Sequence, residues 1–196
     1  MFAFSRGRSG RAGSFMAVSA RSRGKLPTVR RANGIIRAFS FKEGLLSAVA
    51  HDLCFRLQTF DIVMDGTIVE CELDLKSLLV EGPMHNGALQ PNQYDDGKRA
   101  EVAKAMHRDV LRSEQHPKAY FTGTAVPNGD GYHVAGELQL AGSGQPLAFD
   151  VRNDGGTYRA EFELKPSRWG IAQYKALLGA IKLKDTVRVE LALTEA

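Results

Sequence analysis

Few side chains here could do chemistry, and they are scattered. His51, His85, His107, His116 and His133 are spread along the chain. No two His or Cys stand at ligand spacing, so no metal is expected. Ser143 lies in Gly142-Ser143-Gly144, between two alternating runs. A hairpin turn belongs there, not the strand-turn-helix elbow that activates a serine. No glycine-rich loop leads into a helix to cradle phosphate, and no cofactor is called for. His51 and Arg168 remain as polar groups that could hydrogen-bond or charge-pair with a ligand's polar end at a mouth. Each also has a plainer structural account. His51 can satisfy backbone groups of a short Leu45–Ala50 turn, and Arg168 can pair with Asp52 or Asp185.

Whatever positions those residues is built of strands. Tyr132, Val134, Leu138 and Leu140 alternate with His133, Ala135, Glu137 and Gln139, and the same period of two runs through Leu147–Arg152, Tyr158–Lys165 and Val187–Thr194. Such alternation marks strands with one apolar and one wet face. Asn128-Gly129-Asp130-Gly131, Asp154-Gly155-Gly156 and Asp65-Gly66 supply the positive-φ residues that tight hairpins need. Ile35–Phe41, Leu53–Thr59, Thr67–Leu75 and Ala119–Val126 bring the count to eight strands, or more if Ile62–Met64 is separate. Asp95–Arg112 predicts a helix, capped by Asp95 or Asp96, with Val102, Met106 and Val110 recurring at i, i+4 and i+8. Gln173–Ile181 is a second, shorter helical candidate, and Val80–Gln93 reads as a loop. Cys54 is expected to point outward and Cys71 inward, so no disulfide is expected. Many short strands with one or two helices indicate a sandwich or a closed antiparallel barrel. The barrel is preferred, because about eight strands can enclose one small ligand.

The net charge of +4 is unevenly distributed. Residues 1–31 hold Arg6, Arg8, Arg11, Arg21, Arg23, Lys25, Arg30 and Arg31, with no acidic residue, and the remainder has 18 basic against 22 acidic side chains. The expected organisation is therefore a disordered basic leader over residues 1–33 and one domain over residues 34–196. The basic pI belongs to the leader, which argues against nucleic acid as the domain's partner. At most the leader makes peripheral contact with an anionic membrane. Its Ser14–Ala20 stretch is short for an export signal and is broken by Ser19, which favours a cytoplasmic location. A mitochondrial-type transit peptide and initiation at Met16 are alternatives. No run of 18 or more apolar residues suggests a membrane-spanning helix.

Four ordered blocks then resemble the YceI-like family. They are Asp109-Val110-Leu111 with His116-Pro117-Lys118-Ala119-Tyr120-Phe121; Tyr132 to Leu138; Leu140 to Leu147; and Ser167-Arg168-Trp169-Gly170-Ile171 followed by Leu183-Lys184-Asp185-Thr186-Val187-Arg188-Val189. His51 falls near that family's early histidine. Leu53–Gly66 departs from its pattern by lacking a first glycine. The resemblance implies an eight-stranded lipocalin-like barrel that binds an isoprenoid or other lipid without catalysis. It also leaves a homodimer and a periplasmic location open.

In such a barrel the ligand-lining set is expected to be Phe39, Phe41, Phe55, Leu57, Val69, Leu73, Tyr132, Val134, Leu138, Phe149, Tyr158, Phe162, Val189 and Leu191, with His51 and Arg168 near the mouth. Alternation alone fits a solid core as well as a tunnel, and only the resemblance favours the tunnel. A packed interaction domain is the rival reading. A lipid-modifying enzyme would have to use His51 as its general base.

Overall fold

Alternating segments become strands by pairing, and here the pairing returns to its start. The computed structural model describes residues 29–43, 51–176 and 181–196. Its strands are β1 (Val29–Glu43), β2 (Asp52–Leu57), β3 (Phe60–Asp65), β4 (Ile68–Asp74), β5 (Leu78–His85), β6 (Ala88–Leu89), β7 (Lys118–Asn128), β8 (Gly131–Leu140), β9 (Ser143–Asp154), β10 (Thr157–Leu164), β11 (Lys175–Ala176) and β12 (Ile181–Glu195). The hydrogen-bonded order β12-β10-β9-β8-β7-β4-β3-β1 closes when β12 pairs with β1. That ring is a closed antiparallel eight-stranded barrel. Strands β2, β5, β6 and β11 extend it.

One edge of β1 is shared. Val29–Arg31 pair with β3, whereas Ile36–Ser40 pair with β2. The wall therefore forks: β4 follows β3 and continues to β7, while β5 follows β2 and continues to β6. Helix α1 (Asp96–Ala105) packs against β5 beside this fork. Asp95 caps it by accepting from the Lys98 N–H at 2.7 Å. A π-helical turn, Met106–Val110, follows and is closed by Leu111 N–H donating to Met106 O at 2.9 Å. Residues spaced by four drift about 40° per step around an α-helix. The wider π turn offsets that drift, so Val102, Met106 and Val110 all face one cavity.

Several expectations are corrected. β1 starts at Val29, so residues 29–33 pair in the sheet although their charge groups them with the leader. Val80–Gln93 is largely a hairpin, turned by Asn86 and Gly87 in the left-handed region. The second helix is not formed at Lys175–Ala176, which pair as β11 with Lys182 and Ile181 of β12. The unfilled edge of β12 supplies ladder bonds there, and local helical spacing yields to them. Residues 177–180 and the Leu45–Ala50 turn lie outside the described residues. Among the described residues α1, continued by its π turn, is thus the one α-helix, beside two short 3₁₀ turns.

The Ser-Arg-Trp-Gly-Ile block is a plug. Pro166–Trp169 form a 3₁₀ turn that Gly170 ends at φ 73, a conformation that costs glycine little. Asp185 accepts from both Ser167 N–H and Ser167 Oγ, tying the turn to β12. Trp169 is 2% exposed, and its Nε1–H donates to Leu138 O at 2.8 Å. Trp169→Phe keeps an aromatic ring but leaves that carbonyl short of a donor. It is expected to lower unfolding free energy by about 1–3 kcal/mol in a urea melt; a loss below about 0.5 kcal/mol would show that the bond is dispensable.

Candidate ligand cavity

The barrel interior is not filled. A cavity of about 240 Å³ lies at its centre, with Ile36, Leu57, Ile62, Cys71, Leu73, Phe121, Leu138, Phe149, Phe162, Val189 and Leu191 among its wall residues. All its lining residues are aliphatic, aromatic, cysteine or proline. Phe149 stacks on Phe162 with centroids 4.2 Å apart, and Phe121 lies 6.3 Å from Phe149. This stack sits where β9 and β10, paired only at Arg152–Asp154 and Thr157–Arg159, separate.

A second volume of about 460 Å³ adjoins the first and shares Ala38, Val110, Leu111 and Val187 with it. Phe55, Val102 and Met106 continue the apolar wall. Polar groups appear only in this outer part: Ser40, His51, Tyr94, Lys98, Glu101, Gln173, Tyr174, Lys184 and Asp185. Tyr94 OH lies 3.3 Å from His51 Nδ1, with the rings edge-on and centroids 5.8 Å apart. Burial pushes the Tyr94 phenol up from its ordinary value, so it stays a neutral donor or acceptor at physiological pH.

The expected lining residues do not all border the cavity. Phe55, Leu57, Leu73, Leu138, Phe149, Phe162, Val189, Leu191 and His51 border the cavities. Val69 and Val134 are buried in the adjoining core, and Tyr132 packs against it. Tyr132 and Tyr158 lie 6.0 Å apart, and Tyr158 OH reaches Glu195 at 3.5 Å. Arg168 is exposed; it contacts Pro146 O at 3.4 Å and its own neighbour Trp169, not the cavity. Nor does Arg168 take either carboxylate expected for it. Asp185 holds Ser167, and Asp52 accepts from Lys42 N–H.

Phe39 and Phe41 are on the opposite face. Ile36, Ala38 and Ser40 line the interior, so the odd-numbered residues of that stretch point outward. The guanidinium of Arg188 lies 4.5 Å from the Phe39 ring centroid and 5.8 Å from that of Phe41. Arg37 marks the same face, because an unpaired guanidinium inside an apolar barrel would be prohibitively costly. Ser40 and Tyr94 were missed as site residues. The parity set by Arg37 would have found Ser40, whereas Tyr94 lies in a segment with no periodicity.

The outer face has its own buried cluster. Cys54, 0% exposed, donates to Glu81 Oε2 at 3.4 Å, and Arg37 Nε donates to the same oxygen at 2.6 Å. Burial works to raise the Glu81 carboxyl, but bonds from Arg37 and Cys54 outweigh it and hold the group below its usual range. Burial and the neighbouring carboxylate push the Cys54 thiol up to about 12, and burial in the cavity wall does the same for Cys71. Both cysteines are free. Among the described residues no group of His, Cys, Asp or Glu could hold a metal ion. No helix described is long and apolar enough to cross a membrane.

A YceI-like domain model matches residues 40–194. The chain belongs to the YceI-like family. A UPF0312 protein of Pectobacterium atrosepticum is 29% identical over 128 residues, covering 62% of this chain and 57% of that protein. The chain thus aligns with little more than half the length of that relative. Among solved structures, BcnA of Burkholderia cenocepacia has a TM-score of 0.56 at 16% identity, covering 82% of this chain and 94% of BcnA. A polyisoprenoid binding domain from Saccharophagus degradans has a TM-score of 0.55 at 12% identity, covering 86% and 98%. These likenesses support the YceI-like, lipocalin-like barrel.

The thiols give a direct check on the site's burial. At pH 8 neither Cys54 nor Cys71 should react with Ellman's reagent on a scale of minutes in the native protein, and both should react once denaturant is added. Fast native labelling would mean that these walls are open to water.

Proposed function

We propose that this YceI-like protein holds a long apolar ligand, an isoprenoid-like or fatty chain, inside its barrel and acts as a carrier or reservoir rather than a catalyst. The supporting observation is the void itself. Wall atoms around an unfilled apolar space lack packing partners on one side, so leaving the inner volume empty is destabilising. A guest that fills the space removes much of that penalty. Each buried methylene adds about 0.8 kcal/mol before ordering costs. The walls fit such a guest, since they offer continuous apolar contact over the inner volume and hydrogen-bonding groups only at one end. The structural likeness to a polyisoprenoid binding domain agrees with this reading.

Organic extraction of purified protein followed by mass spectrometry is expected to release a lipid in near-stoichiometric amount. The stripped protein should melt roughly 5–15 °C lower and regain stability on adding lipid. A barrel that is always empty and takes up no fluorescent lipid would overturn the proposal.

Phe149 separates this reading from a packed interaction domain. With space already beside its ring, Phe149→Ala should alter lipid uptake and cost less than the ~3–5 kcal/mol expected of a filled core. Loss of the full amount with uptake unchanged would favour the packed domain.

A further inference from the structure

Ser40 is out of place in this wall. It sits mid-strand on β1, its side chain is in the cavity lining, and the residue is 7% exposed. Its Oγ has no hydrogen-bond partner. Two other buried polar atoms among the described residues share that condition, Arg99 Nε and Arg188 Nε. Each belongs to a guanidinium whose Nη2 has a partner, Pro91 O and Glu190 respectively. Ser40 has no second side-chain group to compensate. A buried hydroxyl without a partner is destabilising, and alanine would fill the same space without that cost. An orphan of this kind, carried by a residue of the cavity wall, points to an acceptor or donor supplied from outside the chain.

The surroundings specify what that group is. Ser40 pairs across the sheet with Leu53, and His51 lies two residues ahead of Leu53 beside the same cavity. His51 and Tyr94 already face each other, which puts two hydrogen-bonding groups along one side. The charged residues at the rim balance: Lys98 is paired with Glu101 at 2.9 Å, and Asp185 is occupied by Ser167. With Lys184 the described rim counts two lysines against the two carboxylates, so it carries no excess of positive charge. A phosphate drawn into such a space would be a buried anion without a matching cation cluster.

We propose that the outer cavity is a head-group subsite for an uncharged oxygen-bearing end, a hydroxyl, carbonyl or carboxamide, with Ser40 as its hydrogen-bond partner and the His51–Tyr94 pair beside it. The proposal rests on the apolar-ligand reading above and narrows it. The inner cavity takes the chain, and Ser40 fixes its direction and depth. Ser40 is a binding residue here, with no part in any reaction.

The test uses the full chain, stripped of lipid, with three probes of one chain length: geranylgeraniol, geranylgeranyl phosphate and the matching C20 hydrocarbon. Affinities are read by displacement of a fluorescent lipid. The alcohol is expected to bind roughly tenfold more tightly than the hydrocarbon, the gain of one buried hydrogen bond. The phosphate should bind no better than the alcohol. Ser40→Ala should erase the alcohol's advantage while leaving hydrocarbon affinity unchanged, and Ser40→Thr, which keeps the hydroxyl, should retain it. The empty Ser40→Ala protein should melt no lower than wild type, which separates a binding loss from misfolding. Tighter binding of the phosphate, or an alcohol preference that survives in Ser40→Ala, would overturn the subsite. Hydrocarbon uptake without alcohol preference would overturn the subsite alone. Failure of all three probes to bind would remove the apolar-ligand reading and the subsite with it.

Discussion

The ladder between β1 and β12 is the constraint on which the rest depends. It runs from Ala32–Glu195 to Glu43–Lys182, with one irregularity between Ser40 and Lys42. Closing a sheet removes the free edges it would otherwise expose. The wall then satisfies most of its own backbone groups, and the interior receives side chains alone. An interior relieved of backbone polarity can be purely apolar, and the inner cavity is. Wall and filling are also separated: ladder bonds and outer-face contacts hold the ring, so imperfect packing inside does not unravel it. That separation makes a hollow centre affordable in a way it is not for a helical bundle, whose elements are held together by the core itself.

Beyond the closed ring the wall forks between the β2–β5 and β3–β4–β7 branches, and the polar end of the cavity lies on the β2–β5 side. A strand there would have continued the alternation and presented another apolar row. α1 and its π turn lie beside the fork instead. Helical residues present a stripe wider than one strand's row, so Val102, Met106 and Val110 share the face with Lys98 and Glu101 near its start. The polar end is therefore a product of helix geometry as much as of residue choice. Trp169 contributes to the opposite requirement. Its ring and Ile171 complete the apolar core, and Gly170 allows the chain to turn between them.

Most of the wall was legible because its strands alternate cleanly and their turns carry glycine. In β8, β10 and β12 polar or charged residues recur on one face, so inward parity is unambiguous, and Leu138, Phe162, Val189 and Leu191 came out on the correct side. β1 is different. Ile35 and Ile36 are both apolar, as are Ala38 and Phe39, so alternation alone does not fix the parity, and the phenylalanines were expected to point inward. Arg37 was the better guide, since the cost of an inward charge exceeds the gain from burying a ring. The site was less legible than the wall. Whether the interior is hollow depends on volumes that no linear pattern records. Tyr94 reaches His51 from a non-repeating segment, and Ser40 becomes informative only once its parity and lack of a partner are both known.

The outer cluster shows the same parity rule from the other side. Phe39 and Cys54 pair directly across β1 and β2, which puts an aromatic ring and a thiol together on the face usually left to water. Both are nevertheless buried, so the polar groups among them must find partners within the protein. β2 and β5 shift register between Cys54 and Phe55, with Gly82 opposite the first and Val80 opposite the second. The unpaired residue between them is Glu81. A bulge of this kind re-aims the extra side chain, and here Glu81 is brought to Arg37 and Cys54. Gly82 permits the shift: its φ is +154, and a Cβ there would lie 3.0 Å from Gln90 O. Moving the register by one residue would carry the carboxylate toward the apolar interior and strand Arg37 on the surface. The bulge therefore keeps the inside apolar by holding the Glu81 carboxylate outside, and the cavity depends on it although Glu81 itself does not line the cavity.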